Sequence, residues 1–290
     1  MFEVRRRVLL LASGLSLLAG CGELRERATS SRSTLSIIHG TETSGFPAVG
    51  AILLDGEFIC SATLIAPNRV LTAAHCIGLF AGAPNMVEVP LAFQVGASLD
   101  DSDEMGSIRE VRIPPQYDGL HREYDLAVAT LDQDLETEPL AITDVHLDPI
   151  RVGESLHFVG FGLTSPPPQA PSARHKTYAS IPIKEKGPAL FTIGGSEGMT
   201  CIGDSGGAVL ETETDRSYRL VGVISGGSKN CQTLGINVRL NRSEVHDFIQ
   251  TSGSRLPSTS HEYRYLGILS DGILNPPITP FVRPQDRKAI

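Results

Sequence analysis

The chain has 290 residues, 41% of them apolar, enough for a sizeable core and normal for a single large β-barrel protein. Its formal net charge of -8 offers no basic face to meet phosphates, so nucleic-acid binding is not expected. With 29 Gly and 19 Pro it is turn-rich, in the manner of an all-β protein of short strands; it has no Trp and no internal repeat.

Residues 1–20 read as a signal peptide. Arg5-Arg6-Arg7 is a positive start, and Val8 to Gly20 is an apolar stretch too short to span a bilayer as a stable helix. The stretch ends Leu18-Ala19-Gly20-Cys21, which resembles the bacterial lipobox, where the Cys becomes the lipidated first residue of the mature protein. That resemblance implies a lipid on Cys21 and anchoring to a bacterial cell envelope; the alternative is an ordinary secretory signal cut near Ala19, with a free Cys. Loss of residues 1–20 removes three Arg and one Glu and moves the formal charge from -8 to about -10. Five Cys are an odd count for an exported protein. Lipidation of Cys21 leaves Cys60, Cys76, Cys201 and Cys231 for two bridges in an oxidising compartment, with three pairings open.

Residues 21–36 are polar and rich in Ser and Arg, and read as a tether or propeptide. From Ile37 short apolar runs alternate with turn residues. The expected strands are Val49–Leu54, Phe58–Ile65, Val87–Val95, Ile108–Ile113, Leu126–Leu131, Leu156–Gly160, Tyr178–Ile183, Ala208–Glu211, Leu220–Ser225 and Ile236–Leu240. The proline-rich run from Pro166 to Pro171 is a loop, because consecutive prolines cannot donate to a ladder. A helix is expected to start at Asn241 as cap, with Glu244 three residues on and Val245, Phe248 and Ile249 forming its apolar face. Residues 251–290 form a C-terminal extension, rich in Ser, Pro and Gly.

Acyl transfer at a peptide bond needs a hydroxyl, a base to take its proton, a group to fix the base, and two donors for the oxyanion. Candidates for each are present. Gly203-Asp204-Ser205-Gly206-Gly207 puts Ser205 in a glycine-rich turn where backbone N–H groups can approach a substrate. Thr72-Ala-Ala-His-Cys76 sets His75 after an apolar segment and next to a Cys. Asp125 heads the buried run to Leu131, where an unpaired carboxylate is costly.

The order His75, Asp125, Ser205, in the contexts TAAHC, DLAVATL and GDSGG, resembles the trypsin/chymotrypsin family of serine peptidases over about residues 37–250. The resemblance implies two six-stranded antiparallel barrels with the site in the cleft between them. His75 and Asp125 come from the first barrel and Ser205 from the second, with a C-terminal helix and a tail beyond. It implies His75 as general base, Asp125 as its orienting group, and the N–H groups of Gly203 and Ser205 as oxyanion hole. Ser225 is implied to bond Asp125 and to pair with the substrate backbone, and the disulfides to be Cys60–Cys76 and Cys201–Cys231. Ile37-Ile38-His39-Gly40 is similar to the family's mature start, so cleavage before Ile37 would free an amine to pair with Asp204 and order the oxyanion hole. His39 stands where the family usually has Gly. Ser36 precedes that bond, so an activator with trypsin-like preference is not expected.

By the same resemblance Met199 lies at the base of the specificity pocket, where trypsin-like members have Asp, and Gly227 and Gly235 are small wall residues that keep it open. An apolar P1 side chain is therefore expected rather than Lys or Arg. Gly226 replaces the Trp usual after the Ser225 position and removes an aromatic platform. The expected function is a serine endopeptidase acting on protein or peptide substrates, without cofactor and with no metal, a monomer, either anchored through Cys21 or secreted after propeptide cleavage. Two alternatives stand beside it: a catalytically silent homologue serving as an envelope binding module, and a lipoprotein whose 251–290 tail docks to an envelope partner. The run Asp100-Asp-Ser-Asp-Glu104 has oxygens suited to calcium, but Ala97 stands where a family ligand carboxylate would be, so a solvated acidic loop is expected there. The seven other His are expected to be surface or satisfied polar residues.

Overall fold

The computed structural model describes residues 37–82, 85–167, 174–195 and 198–252. The signal peptide, Cys21, the 21–36 segment, part of the proline-rich loop and residues 253–290 lie outside the described residues. The strands are β1 (Thr41–Glu42), β2 (Val49–Leu54), β3 (Glu57–Ala66), β4 (Arg69–Thr72), β5 (Leu91–Val95), β6 (Glu104–Arg112), β7 (Ala127–Leu131), β8 (Ser155–Gly160), β9 (Thr177–Lys186), β10 (Leu190–Ile193), β11 (Ala208–Thr212), β12 (Tyr218–Gly227) and β13 (Gly235–Arg239). Helix α1 (Ala74–Ile77) follows β4 and helix α2 (Ser243–Thr251) follows β13.

Two closed antiparallel barrels result. The first runs β2-β3-β4-β7-β6-β5 and closes from β5 onto β2. The second runs β8-β9-β10-β13-β12-β11 and closes from β11 onto β8, with β1 paired to the outside of β9. Local chemistry explains the turns and the phase. Asp55 and Gly56 both take positive φ (53 and 81), which joins β2 to β3 by the two-residue Asp-Gly hairpin that the strand twist favours. Along β6, Gly106 and Ile108 point inward and Met105 and Ser107 outward; a register shift between Ile108 and Glu110 then moves the inward position to Val111.

Each barrel has its own core: Ile52, Leu64, Val70 and Phe93 belong to the first, and Phe158, Ile181, Phe191 and Val221 to the second. A third cluster joins them, with Val49, Leu71 and Val128 of the first barrel against Leu210, Val223 and Val238 of the second, closed by Val245 and Ile249 of α2. Each such buried side chain contributes about 1.5–3 kcal/mol, so the cleft rests on a continuous apolar seam.

The structure corrects several expectations. The strand expected over Val87–Val95 begins only at Leu91, because Pro90 cannot donate to the ladder. β1, β4 and β10 were not expected; each has only two to four residues, too few for alternation to show. Asn241 does not cap α2: the cap position is Arg242, with no side-chain cap bond, and Asn241 instead accepts from Arg239 Nε at 3.2 Å and donates to the Leu147 carbonyl at 2.7 Å. In the acidic run, Asp100 pairs with the Arg174 guanidinium, and Glu104 accepts from the N–H groups of Glu136 (2.6 Å) and Thr137 (2.8 Å). Those two carboxylates are committed to protein donors rather than to solvent alone.

Candidate active site

His75 is placed from two directions. β4 ends at Thr72, α1 starts at Ala74, and a disulfide ties Cys76 in that helix to Cys60 in β3, with Cα atoms 6.2 Å apart. Asp125 fixes the residue twice: His75 N–H donates to Asp125 Oδ1 at 2.9 Å, and Nδ1 lies 2.8 Å from Oδ2. A carboxylate can only accept, so Nδ1 carries the proton and Nε2 is left as the acceptor. Asp125 is 1% exposed and also accepts from Ser225 Oγ at 2.5 Å. Burial alone would raise its carboxyl, but the His75 charge and the bonds from His75 and Ser225 outweigh burial and hold it below the usual carboxylate range.

The Cys201–Gly207 loop carries Ser205. Among the described residues, the N–H groups of Asp204, Gly206 and Gly207 are bonded to the carbonyls of Cys201 (3.1 Å), Ile224 (2.7 Å) and Asp204 (2.8 Å), whereas those of Gly203 and Ser205 donate to no protein acceptor. Two donors therefore remain open beside the hydroxyl. Gly206 makes the turn possible: its φ is +81, and a Cβ there would meet Thr72 Oγ1 at 2.0 Å. The Ser205 hydroxyl donates to the Ser225 carbonyl at 3.5 Å, the outer limit of a hydrogen bond, rather than to the His75 ring.

Ser61, in the middle of β3, holds this loop, and sequence reasoning missed it. Its N–H reaches the carbonyls of Gly203 (3.1 Å) and Ser205 (2.9 Å), and its hydroxyl donates to Gly203 at 2.9 Å while accepting from Phe161 N–H at 2.9 Å. Asp204 is fully buried, with one oxygen on Gly162 N–H and the other on Cys201 N–H, each at 2.8 Å. Burial pushes its carboxyl up to about 7, against those two bonds. Gly162 is also needed for space, since a Cβ there would meet Asp204 Cγ at 2.5 Å.

Ile37 is fully buried, and Ile38 exchanges backbone bonds with Met199 at 2.8 and 3.2 Å, which brings the 37–38 segment against the strip leading to Asp204. Met199 is 1% exposed. A second disulfide joins Cys201 to Cys231, Cα atoms 5.1 Å apart. Gly227 and Gly235 face each other across β12 and β13, and a Cβ on Gly227 would meet the Leu234 carbonyl at 2.2 Å, one on Gly235 the Ile193 side chain at 2.6 Å. Close packing is thus a physical reason for glycine at both places. The Cys60 and Cys76 sulfurs cluster with the His75 ring, but as a disulfide they lack the thiolate form a metal requires.

The geometry has the parts of a serine hydrolase, and comparison with known proteins places it. The family model described as Trypsin matches residues 37–249, and the chain belongs to that family. It is a serine endopeptidase, a hydrolase of protein or peptide substrates. Among similar proteins are a trypsin of Saccharopolyspora erythraea, 28% identical, covering 62% of this chain and 80% of that one. Snake venom serine protease BthaTL of Bothrops alternatus is 26% identical, covering 63% and 81%. The fold is similar to that of mouse neuropsin, with a TM-score of 0.62 at 20% identity, over 75% of this chain and 100% of that one.

Proposed function

We propose that the chain cleaves peptide bonds through an acyl-enzyme on Ser205, with His75 as base and then acid, Asp125 as orienting carboxylate, and Gly203 and Ser205 as oxyanion donors. The observation that carries this reading is the pairing of a fixed Asp125–His75 relay with two N–H groups left open at Gly203 and Ser205. The weak bond to the Ser225 carbonyl lets the Ser205 hydroxyl turn toward His75 Nε2 when substrate closes the site. His75 takes the proton as Oγ attacks the scissile carbonyl. The oxyanion is met by donors already in place, which removes the cost of reorienting them during the reaction. The imidazolium then passes its proton to the leaving amine, and water repeats the sequence to free the acid.

Activation belongs to the same proposal. Cleavage before Ile37 gives an ammonium group on a residue already buried beside Asp204's loop, and Asp204 is an acid whose ionisation burial pushes up to about 7, a group an adjacent cation would stabilise as the carboxylate. Met199 is uncharged and buried; at the pocket base, where the family resemblance puts it, it favours apolar P1 residues. The test is labelling by a peptidyl diphenyl phosphonate, which reacts only with an activated serine. A chain beginning at Ile37 is expected to be labelled on Ser205 by a Phe or Leu analogue faster than by a Lys analogue, and the intact chain much more slowly than either. No labelling of either form points to the silent binding homologue; faster labelling by the Lys analogue overturns the pocket assignment.

Residues 1–20 as a signal, Cys21 as a lipid site and 21–36 as a tether complete the proposal, with the enzyme exported and either anchored or released on activation. The two disulfides fit an oxidising compartment. Among the described residues no helix is long and apolar enough to cross a membrane. Mass spectrometry of N-terminal peptides is expected to find a diacylglyceryl group on Cys21 before activation and a free Ile37 amine after it. A free Cys21 thiol removes the anchor, and an active form that starts elsewhere removes the Ile37 switch.

A further inference from the structure

Arg122 was not singled out by its sequence, yet its guanidinium lies against the reacting groups. Nη1 donates to the Ser225 carbonyl at 2.8 Å and to Ser225 Oγ at 3.0 Å, and stands 3.5 Å from Asp125 Oδ2. The Ser225 carbonyl is also the acceptor for the Ser205 hydroxyl, so cation and nucleophile share one oxygen. Gly226 makes the room: a Cβ there would meet Arg122 Nη1 at 2.7 Å and Cζ at 3.0 Å.

The position is built rather than incidental. Arg122 opens a one-turn 3-10 helix, Arg122–Tyr124, whose approach is held by Asp118 accepting from the N–H groups of Leu120 and His121, both at 2.8 Å. The far end is clamped by Arg242, which donates to the Glu123 carbonyl at 2.7 Å and lies 4.7 Å over the Tyr124 ring. Among the described residues Arg122's hydrogen bonds and its ion pair all run through Nη1. Nε and Nη2 remain for an incoming group, on a side chain that is 19% exposed. A guanidinium with a free planar edge fits a carboxylate.

A peptide whose scissile carbonyl sits at Ser205 and whose backbone follows the Ser225–Gly227 edge sends successive side chains to opposite faces. One enters the pocket above Met199. The residue before it faces Arg122. We infer that Arg122 is a specificity-determining residue that selects a carboxylate side chain, Asp or Glu, on the substrate residue immediately before the one held in the pocket. The inference rests on the peptidase reading above.

The test compares peptide phosphonates and peptide substrates that differ only by Glu or Gln at that position, using the chain that begins at Ile37. Wild-type enzyme is expected to favour Glu by about tenfold in labelling rate and in kcat/KM, with the ratio shrinking at high salt because the pair is partly exposed. Arg122→Gln is expected to bring the ratio near one, and Arg122→Lys to keep its sign at reduced size. Using the ratio cancels any general loss of rate that disturbing Asp125 causes. Equal rates with Glu and Gln in the wild type, or a Glu preference that survives in Arg122→Gln, overturn the assignment of Arg122 alone. Absence of labelling with both side chains overturns the peptidase reading, and the selector with it.

Discussion

Ser205→Ala is expected to lower kcat by about a million-fold, and His75→Ala by about as much, because hydroxyl and base act as one unit. The double variant is expected to be no worse than either single one. Asp125→Asn is expected to cost about ten-thousand-fold with the site intact, since an amide cannot hold both the His75 N–H and the Nδ1–H as the carboxylate does. A residual rate in all three, above the uncatalysed one, would come from the open donors at Gly203 and Ser205. The measurement is kcat on an activated peptide ester, normalised to folded enzyme. A Ser205→Ala variant keeping more than about a hundredth of the wild-type rate would show that another group is the nucleophile.

Asp204→Asn separates the activation step from the chemistry. If the Ile37 ammonium pairs with Asp204 as proposed, Asn in the chain beginning at Ile37 leaves that ammonium without its partner, a loss of about 3–5 kcal/mol for a broken buried pair, so activity is expected to fall by two to three orders of magnitude. In the intact chain the same substitution acts the other way. Asp204 ionises at about 7 when folded against 3.8 in its ordinary state, so the folded form binds the extra proton between those values. Stability from this group is therefore highest in acid and is lost as pH rises from about 4 to about 7, by on the order of 4 kcal/mol. Asn stands in for the protonated acid, so the intact Asn variant should hold a flat stability over that window and exceed wild type at neutral pH. Thermal melts of both intact forms at a series of pH values check this; parallel profiles would mean that Asp204 carries no such burden.

The three short motifs are legible because each role demands a residue type the chain cannot vary freely. A strained turn needs glycine at Gly206, a base needs an imidazole, and a buried carboxylate such as Asp125 needs partners. The strands with five or more residues and clear apolar runs are legible for the same reason, burial of one face. What failed was local and physical. Pro90 cut short a run whose hydrophobicity alone looked continuous. Asn241 had the side chain for a cap but found better partners in Arg239 and Leu147. Ser61 and Arg122 carry no pattern in sequence, since a serine after a Cys and an arginine in a polar loop are ordinary.

The family, the two-barrel plan it implies and the residues available to act as nucleophile, base and orienting acid were readable in the sequence from residue order and spacing. Only the tertiary structure decided which hydrogen bonds those residues make. It showed that Ser61 in one barrel grips the carbonyls of Gly203 and Ser205 in the other and leaves two N–H groups open. It also set the Arg122 cation over Gly226. The reason is that these contacts join residues far apart in the chain, Ser61 and Gly203 being 142 positions apart, so they exist only once both barrels have closed on their shared seam.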